Sequence, residues 1–391
     1  MKPVLTVFMD GLRPDSLNYM PFLNSFPVKK RLRTILGYSI TCHASMYTGV
    51  YPNKHLLWFT WLYNPQTSPF KFVKPFKNLS VLNLLPFKIA LVKLANLRAN
   101  NTSYFGIPYI VSLPVKFWPY IDVAEKKLWN EPGYLQTYPT IFDILRKENL
   151  DFEIIGMDKS VRDESVIIDR YKFKEVKPWM YLFMGDVDHF SHQYGQHSQE
   201  GIKRLRALDK LLERKLREYE KIAGDFHFIL FSDHGHIMVR NRIDPYEFFE
   251  KRGVKLQNFL HVVDANFIRF WFHEEKPTVV ERIKTILGEL PGYILSEDLM
   301  VKYKVNMPDN RYGDLIFYLD APNVFSRTMW GYSRRKISNH GYSPDLPESD
   351  GVFVSNFLVA ERNYVELVDI LPLHLKLLKL EIPSYIDGYP L

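Results

Sequence analysis

Residues 33 to 52 read Arg-Thr-Ile-Leu-Gly-Tyr-Ser-Ile-Thr-Cys-His-Ala-Ser-Met-Tyr-Thr-Gly-Val-Tyr-Pro, and the rest of the chain takes its meaning from this stretch. The apolar start predicts a short strand, Gly37 a tight turn, and the residues after it a helix. Ser39 then sits at the helix entry, where unpaired amides and the positive end of the helix dipole favour a bound anion such as phosphate. A serine at that place also serves as a simple N-cap. Its neighbourhood in the fold decides between the two, and that neighbourhood has to come from elsewhere in the chain.

Three apolar runs supply it, the first of them rich in β-branched residues. Residues 3 to 9 stop at Asp10-Gly11, residues 179 to 184 lead into Asp186, Asp188, His189 and His192, and residues 226 to 231 lead into Asp233, His234 and His236. Runs of this kind predict buried parallel strands, whose C-terminal ends converge on one edge of an open α/β sheet. A further His-Gly turn stands at His340. Several carboxylates and imidazoles on one edge repel unless cations hold them, and mixed His and Asp ligands suit Zn²⁺, with Mn²⁺ as the second choice. Two such ions about 4 Å apart are the usual arrangement for in-line phosphoryl transfer.

Bulk properties narrow the setting. The 391 residues are enough for one large α/β domain with smaller parts, and the 46% hydrophobic, 24% charged composition is that of a globular chain. The formal charge of +7 suits an anionic partner, yet the basic residues are dispersed, which argues against nucleic acid. A single cysteine, Cys42, rules out an internal disulfide or a cysteine-based zinc site and suits a reducing, cytoplasmic setting. The N-terminal apolar run is too short for a signal peptide and reads as a strand.

Residues 60 to 136 differ in character. Trp61, Phe70, Phe72, Phe76, Phe87, Phe105, Tyr109, Phe117, Trp118 and Tyr120 alternate with lysines and prolines, the pattern of a cap insertion. Within it, residues 82 to 97 read either as a helix shaping a substrate pocket or as an amphipathic helix on a membrane surface. Residues 245 to 330 alternate short helices and strands, as expected of a smaller α+β subdomain. Apolar residues from Ile202 to Tyr219 lie at helical spacing and mark a long core-facing helix, while Val365 to Leu380 reads as an apolar helix.

The order and spacing of these motifs resemble the alkaline phosphatase superfamily, specifically its nucleotide pyrophosphatase/phosphodiesterase branch. The residues concerned are Asp10-Gly11, Ser39 nine residues before the Thr48-Gly49 that precedes Tyr51-Pro52, Asp188-His-Phe-Ser-His192-Gln-Tyr-Gly195, Ser232-Asp-His-Gly235, and His340-Gly341. The resemblance implies a single alkaline-phosphatase-like catalytic domain over residues 1 to 391, with a mostly parallel central sheet and helices on both faces. It implies one metal held by Asp188, His192 and His340, and a second held by Asp10, Ser39, Asp233 and His234. It also implies Ser39 as the nucleophile, a phosphoseryl intermediate, and attack by water to complete hydrolysis.

Departures sharpen the expectation. The family's asparagine beside the histidine after the nucleophile is Cys42 here, so phosphate is positioned differently. Thr41 is a rival nucleophile, disfavoured by its spacing to Thr48-Gly49. A sulfatase would need Pro and Arg two and four residues after its nucleophile; Ser39 is followed there by Thr41 and His43, and Cys42 by Ala44 and Met46. His43 could bond a substrate oxygen, His189 and His236 could orient ligands, and Asp186 could do so or simply cap a turn. Arg13 and Lys54 are read as surface residues ahead of phosphate contacts, and His55, His197, His227, His261, His273 and His374 as structural. The expected substrate is a nucleotide, nucleotide-sugar or lipid-linked phosphate ester, with monoester hydrolysis or phosphotransfer as the enzymatic alternative. A degenerate phosphatase-fold binding protein or a peripheral membrane protein is the alternative outside catalysis.

Overall fold

The computed structural model describes residues 2–98, 107–157, 163–272, 275–332 and 336–391. Phe105 and His273 lie outside the described residues, and for Tyr109 only the backbone is described. The chain divides into two compact units: residues 1–55, 135–238 and 336–391 form one, and residues 56–134 and 239–335 the other.

The first unit is built on β1 (Val4–Met9), β2 (Val28–Arg33), β3 (Phe152–Ile155), β4 (Trp179–Met184), β5 (His227–Phe231), β6 (Gly351–Ser355) and β7 (Tyr364–Glu366). Among the described residues they form one sheet in the order β7-β2-β6-β5-β1-β4-β3. The β1 sequence Val-Leu-Thr-Val-Phe-Met is buried throughout, as a central strand with both faces covered must be. It pairs in parallel with β4 and β5, Phe8 lying level with Phe183 and with Phe231. Asp10, Gly185 and Asp233 therefore stand at the same height beyond the sheet. β6 alone runs against the other six, being antiparallel to both β5 and β2. Two reversals restore direction, so β2 also ends at the edge where β1, β4 and β5 end, and it delivers Ser39 there.

Alternation sorts the two faces. Leu5, Val7 and Met9 join Met180, Leu182, Phe228, Leu230 and the buried stripe Leu205, Leu208, Leu212, Leu216 and Tyr219 of a long helix. On the other face, Trp179 Nε1 donates to Thr6 Oγ1, which bonds His374 Nε2 at 2.8 Å. The unit's functional helices are α1 (Ser39–Thr48), α2 (Asp186–Tyr194) and α3 (Gln199–Ala223).

Two readings of the first unit need correction. The strand before Gly37 begins upstream of the quoted stretch, at Val28–Arg33, where Lys29, Lys30, Arg31 and Arg33 surround Val28 and Leu32 and hide it from a hydrophobicity reading. The expected helix from Val365 begins as a strand: Tyr364–Glu366 pairs with β2, and the helix covers only Ile370–Leu377. The exposed backbone of β2 takes up those three residues.

In the second unit, Leu260–Val263, Phe267–Trp271, Leu315–Leu319 and Gly292–Ile294 form an antiparallel sheet in that order. Ile283, Ile286 and Leu287 of the helix Pro277–Leu287 pack with Ile268, Phe270 and Phe317. Trp61, Phe70, Trp118, Ile121 and Val123 form a second cluster together with Leu260, Val262 and Trp271. The Arg269 guanidinium is fully buried on Asp264, 3.1 Å away, and lies over the Phe59 ring, so its charge is paired and stacked. His261 is structural as read, with Nδ1 donating to the Phe259 carbonyl. Among the described residues no helix is long and apolar enough to cross a membrane.

Candidate active site

Ser39 is the first residue of α1, and Tyr38 is its N-cap, extended and without a side-chain capping bond. The serine hydroxyl is thus released from the capping role the sequence allowed. Its Oγ lies 3.0 Å from Nε2 of His234. Thr41 is fully buried in the same helix, and Cys42 is buried with Sγ 3.7 Å from Thr34 Oγ1. Burial pushes the Cys42 thiol well up, so it is no thiolate nucleophile.

His234 shows what the cluster is built to hold. Its Nδ1 faces the Gly235 carbonyl at 3.1 Å and can only donate there, so in the neutral tautomer Nε2 is the lone pair. That lone pair points at Ser39 and at two carboxylate oxygens, Asp10 Oδ1 and Asp233 Oδ2, each 3.4 Å away. Both of those oxygens are buried and have no hydrogen-bond partner among the described residues. Three acceptors facing one another in a dry pocket are stable once a cation sits among them. The other Asp233 oxygen accepts from the amides of Gly11 and His234, which fixes the carboxylate's orientation.

A second cluster surrounds Asp188 at the start of α2. Asp188 and His192 are one helical turn apart, and His192 Nε2 lies 3.4 Å from Asp188 Oδ1 while its Nδ1 donates to the Ser338 carbonyl. His340 Nε2 lies 3.5 Å from the same oxygen, and its ring stacks on that of His234 at 3.9 Å, the planes only 4° apart. His236 comes nearer still, with Nε2 2.9 Å from Asp188 Oδ1. Ser338 donates its one hydroxyl proton to the Ser191 carbonyl, so His236 Nδ1 must donate to Ser338 Oγ and its Nε2 is also a lone pair. The sequence reading put His236 beside the ligands. The geometry places it with them, in a group Asp188, His192 and His236 whose ligand atoms lie within 4.8 Å of one another. A second group within the same limit holds Asp188, His234 and His340, and a third holds Asp10, His43 and Asp233.

Protonation follows from burial and neighbours. Burial, then Asp233 and Asp188, holds the Asp10 carboxyl well above the usual range, and burial pushes Asp233 up to about 7. Burial lowers His192 and His43 to about 3, so both imidazoles stay neutral and able to ligate.

Gly11 joins the clusters. Its φ is +76°, and a Cβ there would stand 3.0 Å from His236 Nε2 and 3.2 Å from Asp188 Cα. Gln196, passed over in the sequence, ties this turn down: Nε2 donates to the Gly11 carbonyl and Oε1 accepts from the Arg13 amide and Ser16 Oγ. Its one signal was its place directly after the Asp188 to Gly195 motif.

Other candidates fall outside. Asp186 uses both carboxylate oxygens on Ser165, which is the turn-capping alternative. His189 is exposed and lines a cavity of about 300 Å³ with Asp163, Gln193 and Arg204, away from the ligand side of α2. Arg13 is committed to Asp15 and the His236 carbonyl, and Lys54 to Asp387, so neither guanidinium nor ammonium is held ready for a phosphate. His55 bonds Ser45.

Comparison with known proteins accords with this arrangement. The family model for type I phosphodiesterase/nucleotide pyrophosphatase matches residues 4–343. The structure of human ectonucleotide pyrophosphatase/phosphodiesterase 5 superposes with a TM-score of 0.68 at 14% identity, covering 100% of this chain and 97% of that one. The murine protein of the same name, as an inactive threonine-to-alanine variant in complex with AMP, gives 0.66 at 15% identity, with coverage of 100% and 98%. A search among curated proteins found no match.

Proposed function

Because this chain belongs to the type I phosphodiesterase/nucleotide pyrophosphatase family, within the alkaline phosphatase superfamily, and is a phosphodiester hydrolase by that membership, we propose that Ser39 is its nucleophile. The proposed substrate is a nucleotide-containing phosphodiester or pyrophosphate. Enzymes of this family use two divalent cations. The proposed holders are Asp10, Ser39, Asp233 and His234 for one, and Asp188, His192 and His340 for the other, with His236 as a further ligand or orienting group. The observation that carries the reading is the His234 Nε2 lone pair, set 3.0 Å from Ser39 Oγ and 3.4 Å from two buried carboxylate oxygens.

When bound, such cations lower the pKa of a coordinated hydroxyl and neutralise charge on the phosphate. The chain's own part is positional. Ser39 Oγ, at the N-terminus of α1, attacks phosphorus in line, the bond to the leaving oxygen breaks, and water then cleaves the phosphoseryl ester to regenerate the hydroxyl. The AMP complex of the murine protein supports a nucleoside monophosphate as one product.

The test is paired hydrolysis of bis-nitrophenyl phosphate, nitrophenyl phosphate and a dinucleoside polyphosphate by zinc- and manganese-loaded protein. A preference for the two diesters, abolished in Ser39→Ala, supports the reading. Equal or faster turnover of the monoester overturns the diester assignment, and retained turnover in Ser39→Ala overturns the nucleophile.

A further inference from the structure

The second unit carries a surface that the hydrolytic site does not explain. Phe76, Leu79, Leu84, Leu85, Phe87 and Leu97 are between 45% and 79% exposed. They lie on and just before the helix Leu85–Arg98, which buries only Val92 and Ala95. Scattered apolar side chains on a surface are ordinary, but a contiguous set of this size marks a docking face. At about 100° per residue, Leu85, Ile89, Leu97, Leu94 and Phe87 are spread over roughly 200° of the helix circumference, with the exposed Asn96 and Lys93 among them. A helix that exposes this many apolar side chains around a lysine fits the boundary between an apolar medium and a charged surface.

Charge identifies the medium. Residues 64 to 121 contain six lysines and one arginine and no acidic residue, a local excess equal to the whole chain's formal +7. Lys71, Lys74 and Lys93 are exposed. Lys88 lies outside that arc and donates to the carbonyls of Val111 and Leu113. We propose that this face is an interfacial anchor for an anionic phospholipid bilayer, the apolar side chains entering the acyl boundary and the lysines meeting lipid phosphates. Fourteen residues make a helix of about 21 Å, too short to span a hydrocarbon core of about 30 Å, so the helix lies along the surface.

Two other occupants fit less well. A second copy of the chain would set the same acid-free, cationic segment against itself, with nothing across it to pair the lysines. A protein groove would cover one stripe of the helix, whereas acyl chains and headgroups accommodate an arc of this width. The inference rests on the second unit and does not depend on which phosphate ester is hydrolysed.

The experiment is co-sedimentation of the full chain, metals present, with vesicles of phosphatidylcholine and of phosphatidylcholine mixed equally with phosphatidylglycerol. Binding to the mixed vesicles, weakened roughly tenfold by high salt and roughly a hundredfold by the double change Leu85→Glu and Phe87→Glu, is expected. Ile222→Glu, an exposed apolar residue of the other unit, is the control and leaves binding unchanged. An unaltered melting temperature and unaltered hydrolysis of bis-nitrophenyl phosphate in the double variant show that it is folded. Failure to bind mixed vesicles at low salt overturns the proposal. So does a concentration-dependent dimer in sedimentation velocity that the double change abolishes, because the face is then a protein interface.

Discussion

Asp188 Oδ1 has three imidazole Nε2 atoms within 3.5 Å, and for His192 and His236 the opposite ring nitrogen is already donating. His236 is therefore proposed to contribute to cation affinity as well as to ring order. His236→Ala is expected to weaken zinc binding by at least about tenfold, read by chelator competition, while His189→Ala leaves it unchanged. Equal affinities in the two variants would remove His236 from the cluster. For Ser39→Ala, a fall in kcat on the order of a thousandfold or more is expected with both metals retained by elemental analysis. Thr41→Ala, in a fully buried residue, should lower the melting temperature instead. In the second unit, burial raises the Glu125 carboxyl to about 7 against the opposing bond from Tyr134. The folded state thus keeps a proton that the unfolded state releases near pH 4.5, and stability falls as pH rises from there to about 7. The loss is about 3 kcal/mol over that window. Urea midpoints measured at pH 5 and pH 8 should differ less in Glu125→Gln than in the unaltered protein.

At the level of elements, what could be read from the sequence depended on how each strand is solvated. β1, β4 and β5 are covered on both faces, so they appear as unbroken apolar runs ending in acids, and their alignment at one edge followed from parallel pairing. β2 was hidden because its charged residues are used in tertiary contacts: Lys30 Nζ donates to the Ala360 and Arg362 carbonyls, and Arg31 meets Asp350. β7 has three residues, too few for any periodicity. His236 was read as orienting a ligand for a different reason, since seeing its Nε2 as a lone pair requires knowing where the Ser338 proton goes. Asp186 and His189 looked like ligand neighbours because they flank Asp188 in sequence, yet helical geometry turns them to other faces of α2. The turn after β5 is equally constrained: a Cβ on Gly235 would stand 2.3 Å from the Glu348 carbonyl and 2.7 Å from that of Asp350. Gly235→Ala should cost about 3 kcal/mol or more in urea unfolding, with zinc affinity lost in parallel because His234 must shift. An unshifted unfolding midpoint would contradict that packing.

For the whole molecule, cations bound at the proposed sites would also be structural, because those sites draw on β1, α1, α2, the turn after β5 and the segment before β6. Chelation should lower the melting temperature by on the order of 10 °C, recovered on adding zinc, given about 4 kcal/mol for a site filled at a thousand times its Kd. The pH dependence has a definite sign. Burial raises the Asp10 and Asp233 carboxyls, so the metal-free protein loses stability as pH climbs from the unfolded range toward about 7. Calorimetry should therefore find a larger chelation effect at pH 8 than at pH 5.

The placement of β6 and β7 bears on how the polypeptide is made. Both neighbours of β2, Gly351–Ser355 and Tyr364–Glu366, are translated more than three hundred residues after it. While the ribosome is still at work, β2 has no lateral partner, and Ser39 follows a strand whose seat in the sheet does not yet exist. Nascent chains halted before residue 351 should be digested readily by protease around residues 28 to 48, and protection should arrive only once the late strands have emerged.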